Sequence, residues 1–215
     1  MKQHKGLLAL IIILVVIIID QAVKIYVKTH FYYGESVTVF PWFRILFIEN
    51  NGMAFGMELG SKIFLSLLRI AVVAAVIWWI CRIRKRPELK TGFMVCLSLI
   101  VAGAAGNILD SIFYGVIFND PLPPEIAQMF PAGGGYAPVL EGRVVDMLYF
   151  PLFSFYWPDF LPIIGGERFL FFQPVFNIAD AAISVGIIAL ILFYSGQLNA
   201  MMRKESGDEP TVEKK

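Results

Sequence analysis

The sequence predicts a membrane-embedded all-α core of four transmembrane helices, with a small strand-rich platform and an enlarged loop on its outer side. Three observations carry this. Of the 215 residues 58% are hydrophobic and only 16% charged, with a mean hydropathy of +0.70, whereas soluble domains carry about 25% charged residues. Four apolar runs each approach the roughly 20 residues that a helix needs to cross a bilayer core of about 30 Å. The densest basic stretch, CRIRKRPELK, lies in a short loop between the second and third runs. A net charge of +1 gives no electrostatic footprint for nucleic acid. Two cysteines, Cys81 and Cys96, do not make a disulfide scaffold and are read as packing residues.

The first span is expected over 6–27, the second over 63–80, the third over 92–118 and the fourth over 175–194. Arg82, Arg84, Lys85, Arg86 and Lys90 place the short loop on the cytoplasmic side. An even number of spans then puts both termini inside, where Lys2, Lys5, Arg203 and Lys204 agree, with Trp78 and Trp79 at the inner interface. MKQHK followed by an apolar run imitates a signal peptide, but the run continues into DQAVK without a small-x-small cleavage site and is read as a retained helix. Residues 200–215 read as a polar cytoplasmic tail, leaving 28–61 and 119–174 outside.

ESVTVF and WFRILFIEN are rich in β-branched and aromatic residues and end at the turn signal Asn51-Gly52, which predicts the platform. The second external segment carries PLPPE and GGGY, which oppose a continuous helix, and the run YFPLFSFYW, which reads as interfacial.

Four acids resist explanation by solvation: Asp20, Asp110, Asp146 and Asp180 lie in or beside predicted spans, where an ionisable group is a functional candidate. All four fall toward the outer ends. Asp20 and Lys24 stand at i, i+4 and suit a structural pair. Asn107 and Asp110 in AGAAGNILD suit helix packing, because small residues permit close approach and Asn bonds across helices. Asp146 also fits a loop or cap role, while Asp180 precedes a long apolar run and needs a partner. Two carboxylates held close share a proton, and such a pair activates water against a carbonyl. His4 and His30 are the only histidines, and HExxH, CxxC and GxSxG are absent, so zinc, Cys/His and Ser/His/Asp chemistries lack their parts. A proton-coupled carrier and a non-catalytic binder of lipid-anchored chains are the rival readings.

DQAVK, NNGMAFG, AGAAGNILD, GRVVDM and FNIADAAISVG, in this order from about residue 20 to 190, resemble the lipoprotein signal peptidases, the type II signal peptidases of bacteria. The resemblance implies a four-span aspartic peptidase of the inner membrane with its site near the periplasmic face. Such an enzyme needs no metal or organic cofactor. It cuts diacylglyceryl-modified prolipoproteins on the amino side of the lipid-modified cysteine and is blocked by globomycin-type cyclic peptides. Carried over residue by residue, the catalytic pair is Asp146 and Asp180; Asp20, Lys24, Asn50, Gly52, Asn107, Asp110 and Asn177 are supporting residues, and 35–59 is the extracytoplasmic β-cradle. Where the family commonly has Arg after the acid of GN-x-x-D, this chain has Ser111, and Arg143 is the candidate replacement. The stretch between Asp110 and Asp146 is much longer than the family's, and 149–173 is also enlarged; a lid or clamp beside the site and a surface elaboration without catalytic effect are both open readings.

Overall fold

A computed structural model describes residues 4–50, 62–86 and 88–206. Its four long helices are α1 (His4–His30), α2 (Lys62–Ile83), α3 (Thr91–Ile117) and α4 (Ile178–Ser206), each with a stretch long and apolar enough to cross a membrane. The chain is a multi-pass membrane protein. Long aliphatic side chains on the outward faces, such as Ile18, Leu68, Ile188 and Leu192, are exposed in the isolated chain, as lipid-facing residues are.

α3 is the central helix, buried along most of its length and packed against the other three. Its small residues make that possible. A Cβ on Gly103 would lie 2.2 Å from the carbonyl oxygen of Ala179 in α4, and one on Gly106 would lie 2.8 Å from Asp20 Oδ2 in α1. Gly103→Val is therefore expected to push the start of α4 away from α3, lowering the apparent Tm. Thermal unfolding followed by tryptophan fluorescence checks this, and an unchanged Tm would show that the seam relaxes.

Two apolar clusters stack along the bundle. One, with Ile83, Leu89, Phe93, Leu97 and Leu190, lies toward the basic loop; the other, with Val27, Phe47, Tyr114, Phe118, Val145 and Met147, ties the helices to a sheet at the opposite end. That sheet has the order β1-β2-β3-β6 and is antiparallel throughout, built from β1 (Ser36–Phe40), β2 (Phe43–Asn50), β3 (Val144–Tyr149) and β6 (Val175–Phe176). β4 (Phe153–Tyr156) and β5 (Arg168–Phe171) form a separate two-stranded sheet.

Several boundaries differ from the sequence expectation. The described part of the platform expected over 35–59 supplies β1 and β2, and residues 51–59, with the Asn51-Gly52 turn and the candidate Gly52, lie outside the described residues. Its other half comes from β3 and β6, inside segments assigned to the outer loop and the fourth span. Val175 and Phe176 pair with Tyr149 and Leu148 as strand, so α4 begins at Ile178. The helix also runs on to Ser206, into the segment expected as tail. Asp146 sits within β3, neither in a loop nor at a cap.

Candidate active site

Strand alternation sends successive side chains to opposite faces. Val145 and Met147 enter the apolar cluster beneath the sheet, so Asp146 between them points the other way. There Asp146 Oδ1 accepts a 2.7 Å hydrogen bond from Asn177 Nδ2, and Oδ2 accepts one of 3.4 Å from Asn50 Nδ2 at the end of β2. Asn177 is the hinge between β6 and α4. It is wholly buried, and its Nδ2 also faces the carbonyl oxygen of Val145 at 3.2 Å.

Asn177 simultaneously holds the second acid. Asp180 lies in the first turn of α4, its backbone N–H donating to Asn177 Oδ1 at 2.8 Å while Asn177 N–H returns a 3.3 Å bond to Asp180 Oδ2. This reciprocal exchange across three residues is the geometry of a helix N-terminal cap. Asp180 Oδ1 accepts from Asn107 Nδ2 at 2.7 Å. One asparagine thus touches both carboxylates. Asp146 is 3% exposed and Asp180 only half-buried, so the pair opens on the Asp180 side. Burial, and then the neighbouring charge of Asp180, push the Asp146 carboxyl up to about 7.

Behind the pair lies a fully buried ionic network. Lys24, with no exposed surface, reaches Asp20 Oδ2 at 2.9 Å, Asp110 Oδ2 at 2.8 Å and Asn107 Oδ1 at 2.7 Å. Asp20 Oδ1 accepts the backbone N–H of Ala179 at 2.8 Å, so a side chain of α1 satisfies one of the free donors at the start of α4. Asp110 Oδ2 accepts the N–H of Val145 at 3.3 Å, next to Asp146 in β3. Lys24 therefore links, through two acids and one amide, the elements that carry Asp146 and Asp180. Among the described residues no buried side-chain polar atom lacks a partner.

Of the site residues expected from sequence, Asp20, Lys24, Asn50, Asn107, Asp110 and Asn177 converge on Asp146 and Asp180. Arg143 goes elsewhere: its Nη1 meets Glu49 Oε2 at 2.9 Å and its Nη2 pairs with Asp120. Asp110 has Lys24 and Gln21 instead, the latter donating from Nε2 at 2.8 Å, so the position after Asp110 needs no arginine to balance it. Ser111 Oγ turns back to the carbonyl oxygen of Asn107 at 3.1 Å.

Sequence reasoning missed Gln21, Lys28, Glu49 and Tyr136. Lys28 pairs with Glu49 and stands over the rings of Phe118 and Tyr136 at 5.2 and 5.3 Å, while Tyr136 lies under the Arg143 guanidinium at 4.5 Å. This second cluster fastens the segment after α3 to α1 and β2. Its one signal in the sequence is the spacing of Asp20, Lys24 and Lys28, which lines them along one helix face.

The chain resembles known proteins along nearly its whole length. Residues 12–195 match the family described as Signal peptidase (SPase) II. A protein from Porphyromonas gingivalis named lipoprotein signal peptidase is 50% identical over 214 residues, 99% of this chain and 93% of that one. Another of that name from Amoebophilus asiaticus is 31% identical over 93% of this chain and 83% of its own. Among solved structures, a bacterial membrane enzyme determined by the in meso method at 1.9 Å resolution superposes with a TM-score of 0.56 at 26% identity, over 86% of this chain and 90% of the other. With four membrane spans and buried aspartates gathered at the sheet-bearing end, the chain belongs to the signal peptidase II family of aspartic peptidases.

Proposed function

We propose that Asp146 and Asp180 are the catalytic dyad with which this chain removes signal peptides from diacylglyceryl-modified prolipoproteins, cutting on the amino side of the lipid-modified cysteine. The observation that carries the assignment is the single bridge of Asn177 to both carboxylates. The basic loop and the spans support a bacterial inner-membrane location with both termini cytoplasmic and the sheet-bearing end periplasmic. At that depth the diacylglyceryl chains stay in lipid while the peptide reaches water.

The chemistry follows from the proton held by Asp146. Asp180 takes a proton from a water molecule as its oxygen attacks the scissile carbonyl carbon, and Asp146 gives its proton to the carbonyl oxygen, forming a gem-diol. Collapse breaks the C–N bond. Asp180 returns its proton to the leaving cysteine nitrogen, and Asp146 recovers one from the gem-diol as the new carboxyl forms. Asn177 and Asn107 fix the two carboxyls through this exchange, and Lys24, Asp20 and Asp110 hold the strand and helix that present them.

The test is cleavage of a diacylglyceryl prolipoprotein by the purified chain in lipid nanodiscs, read as a mobility shift. Cleavage blocked by a globomycin-type cyclic peptide is the expected result, and no cleavage of the lipid-modified substrate would refute the proposal. Because Asp146 must carry the proton and titrates at about 7, kcat should fall as pH rises through about 7. A rate that stays flat from pH 6 to pH 9 would deny Asp146 the acid role.

A further inference from the structure

The segment between β3 and β6 contains a structure that the dyad chemistry does not use. β4 and β5 pair antiparallel, with Phe153 opposite Phe171 and Phe155 opposite Phe169, their ring centroids 4.7 and 5.0 Å apart. Trp157 meets Phe155 edge-on at 5.0 Å. One face of the ribbon is therefore aromatic. The other carries Ser154, Tyr156 and Arg168, with Arg168 Nη2 donating to Ser154 Oγ at 3.1 Å. Among the described residues no third strand joins this sheet, and a lone two-stranded ribbon is marginal in water.

The tip is stranger still for a water-exposed turn. Phe160 is 82% and Ile163 96% exposed. Ile163 also has φ +77°, in the left-handed region that glycine or asparagine occupies at ordinary turns and where a β-branched residue is strained. Exposed apolar surface and backbone strain at one residue are unfavourable together in water. Entry of the side chain into lipid removes the first cost, and the transfer of apolar surface out of water offsets the second.

The fold puts lipid within reach. The ribbon leads through β6 directly into α4, a membrane span that begins at Ile178. Ring contacts continue from it along the four-stranded sheet: Phe172 to Phe176 at 6.0 Å, Phe176 to Phe150 at 5.6 Å and Phe150 to Trp42 at 6.2 Å. Trp42, in the turn between β1 and β2, is half-exposed, so this band reaches the molecular surface. Aromatic side chains concentrate at the level of the headgroups for this reason. From 150 to 173 the only charges are Asp159, Glu167 and Arg168.

We infer that the β4–β5 ribbon is a membrane-docking device: its aromatic face lies in the interfacial layer of the leaflet on the sheet-bearing side, and Phe160 and Ile163 reach into the hydrocarbon. The inference rests on α4 being a membrane span and is independent of the dyad assignment.

The test is a spin label on Ile163→Cys in a C81S/C96A chain reconstituted in nanodiscs of phosphatidylethanolamine and phosphatidylglycerol, with a second label on lipid-facing Leu192→Cys as reference. Collision with oxygen, which partitions into lipid, is compared with collision with a water-soluble nickel chelate. The expected result is several-fold greater access to oxygen at position 163, as at the reference. Preferential access to the nickel chelate would place the tip in water and overturn the inference. Protection from both would assign the tip to a protein contact and overturn it equally.

Discussion

Asp146→Asn and Asp180→Asn are each expected to lower cleavage of a diacylglyceryl prolipoprotein by about 10²–10⁴-fold, the range that loss of a general acid or base produces. Asparagine keeps the shape of each side chain and an oxygen that can still accept from Asn177 or Asn107, so both variants should fold and insert. Asp146→Asn should also be more stable than the parent, in a pH-dependent way. In the folded chain Asp146 titrates at about 7 rather than at its ordinary 3.8. Between those values the fold keeps a proton that the unfolded chain gives up, so stability declines as pH rises across that interval and levels off above about 7. The gain in Tm from Asp146→Asn should accordingly be full at pH 8 and small near pH 4. Equal shifts at both pH values would show that Asp146 is not held protonated by its surroundings.

Lys24→Met is expected to be the most damaging change outside the dyad. It leaves Asp20 and Asp110, 1% and 0% exposed, without the cation between them. Breaking a buried ion pair by removing one partner costs about 3–5 kcal/mol. For a chain of this length that corresponds to a fall in Tm of roughly 10 °C. The damage should reach the chemistry as well, because Asp20 holds the Ala179 N–H at the start of α4 and Asp110 holds the Val145 N–H beside Asp146. Combining K24M with D20N and D110N removes the uncompensated charge and should recover much of the lost stability. Thermal unfolding of the single and triple variants separates this from simple loss of packing, since a packing defect would persist in the triple variant.

The four spans were legible because hydropathy over some twenty residues is a local signal, and the acids were legible because apolar surroundings make each one conspicuous. Asp20 with Lys24 and Asn107 with Asp110 declared themselves by helical spacing. What escaped depends on contacts between distant segments. β6 is two residues long and merges with an apolar helix, so Val175 and Phe176 read as part of the span until Tyr149 and Leu148 are seen beside them. Asp146 looks like a loop residue because its strand is recruited by β2 across some hundred residues of chain. Glu49 and Tyr136 are ordinary residues in sequence and become a buried ionic and aromatic cluster only when Lys28 meets them. Arg143, the candidate replacement for the arginine absent at Ser111, pairs with Glu49 and Asp120, while Lys24 and Gln21 balance Asp110, and neither arrangement has a local signal in the sequence.

The measurement that bears most directly on the dyad is mass spectrometry of the products formed from a diacylglyceryl prolipoprotein by the parent chain and by the D146N/D180N double variant, both reconstituted in lipid. The parent should release a signal peptide with a free carboxyl terminus and leave a lipid-modified cysteine with a free amino group, while the double variant leaves the substrate intact. Cleavage at the same bond by the double variant would contradict the assignment of Asp146 and Asp180 as the catalytic pair.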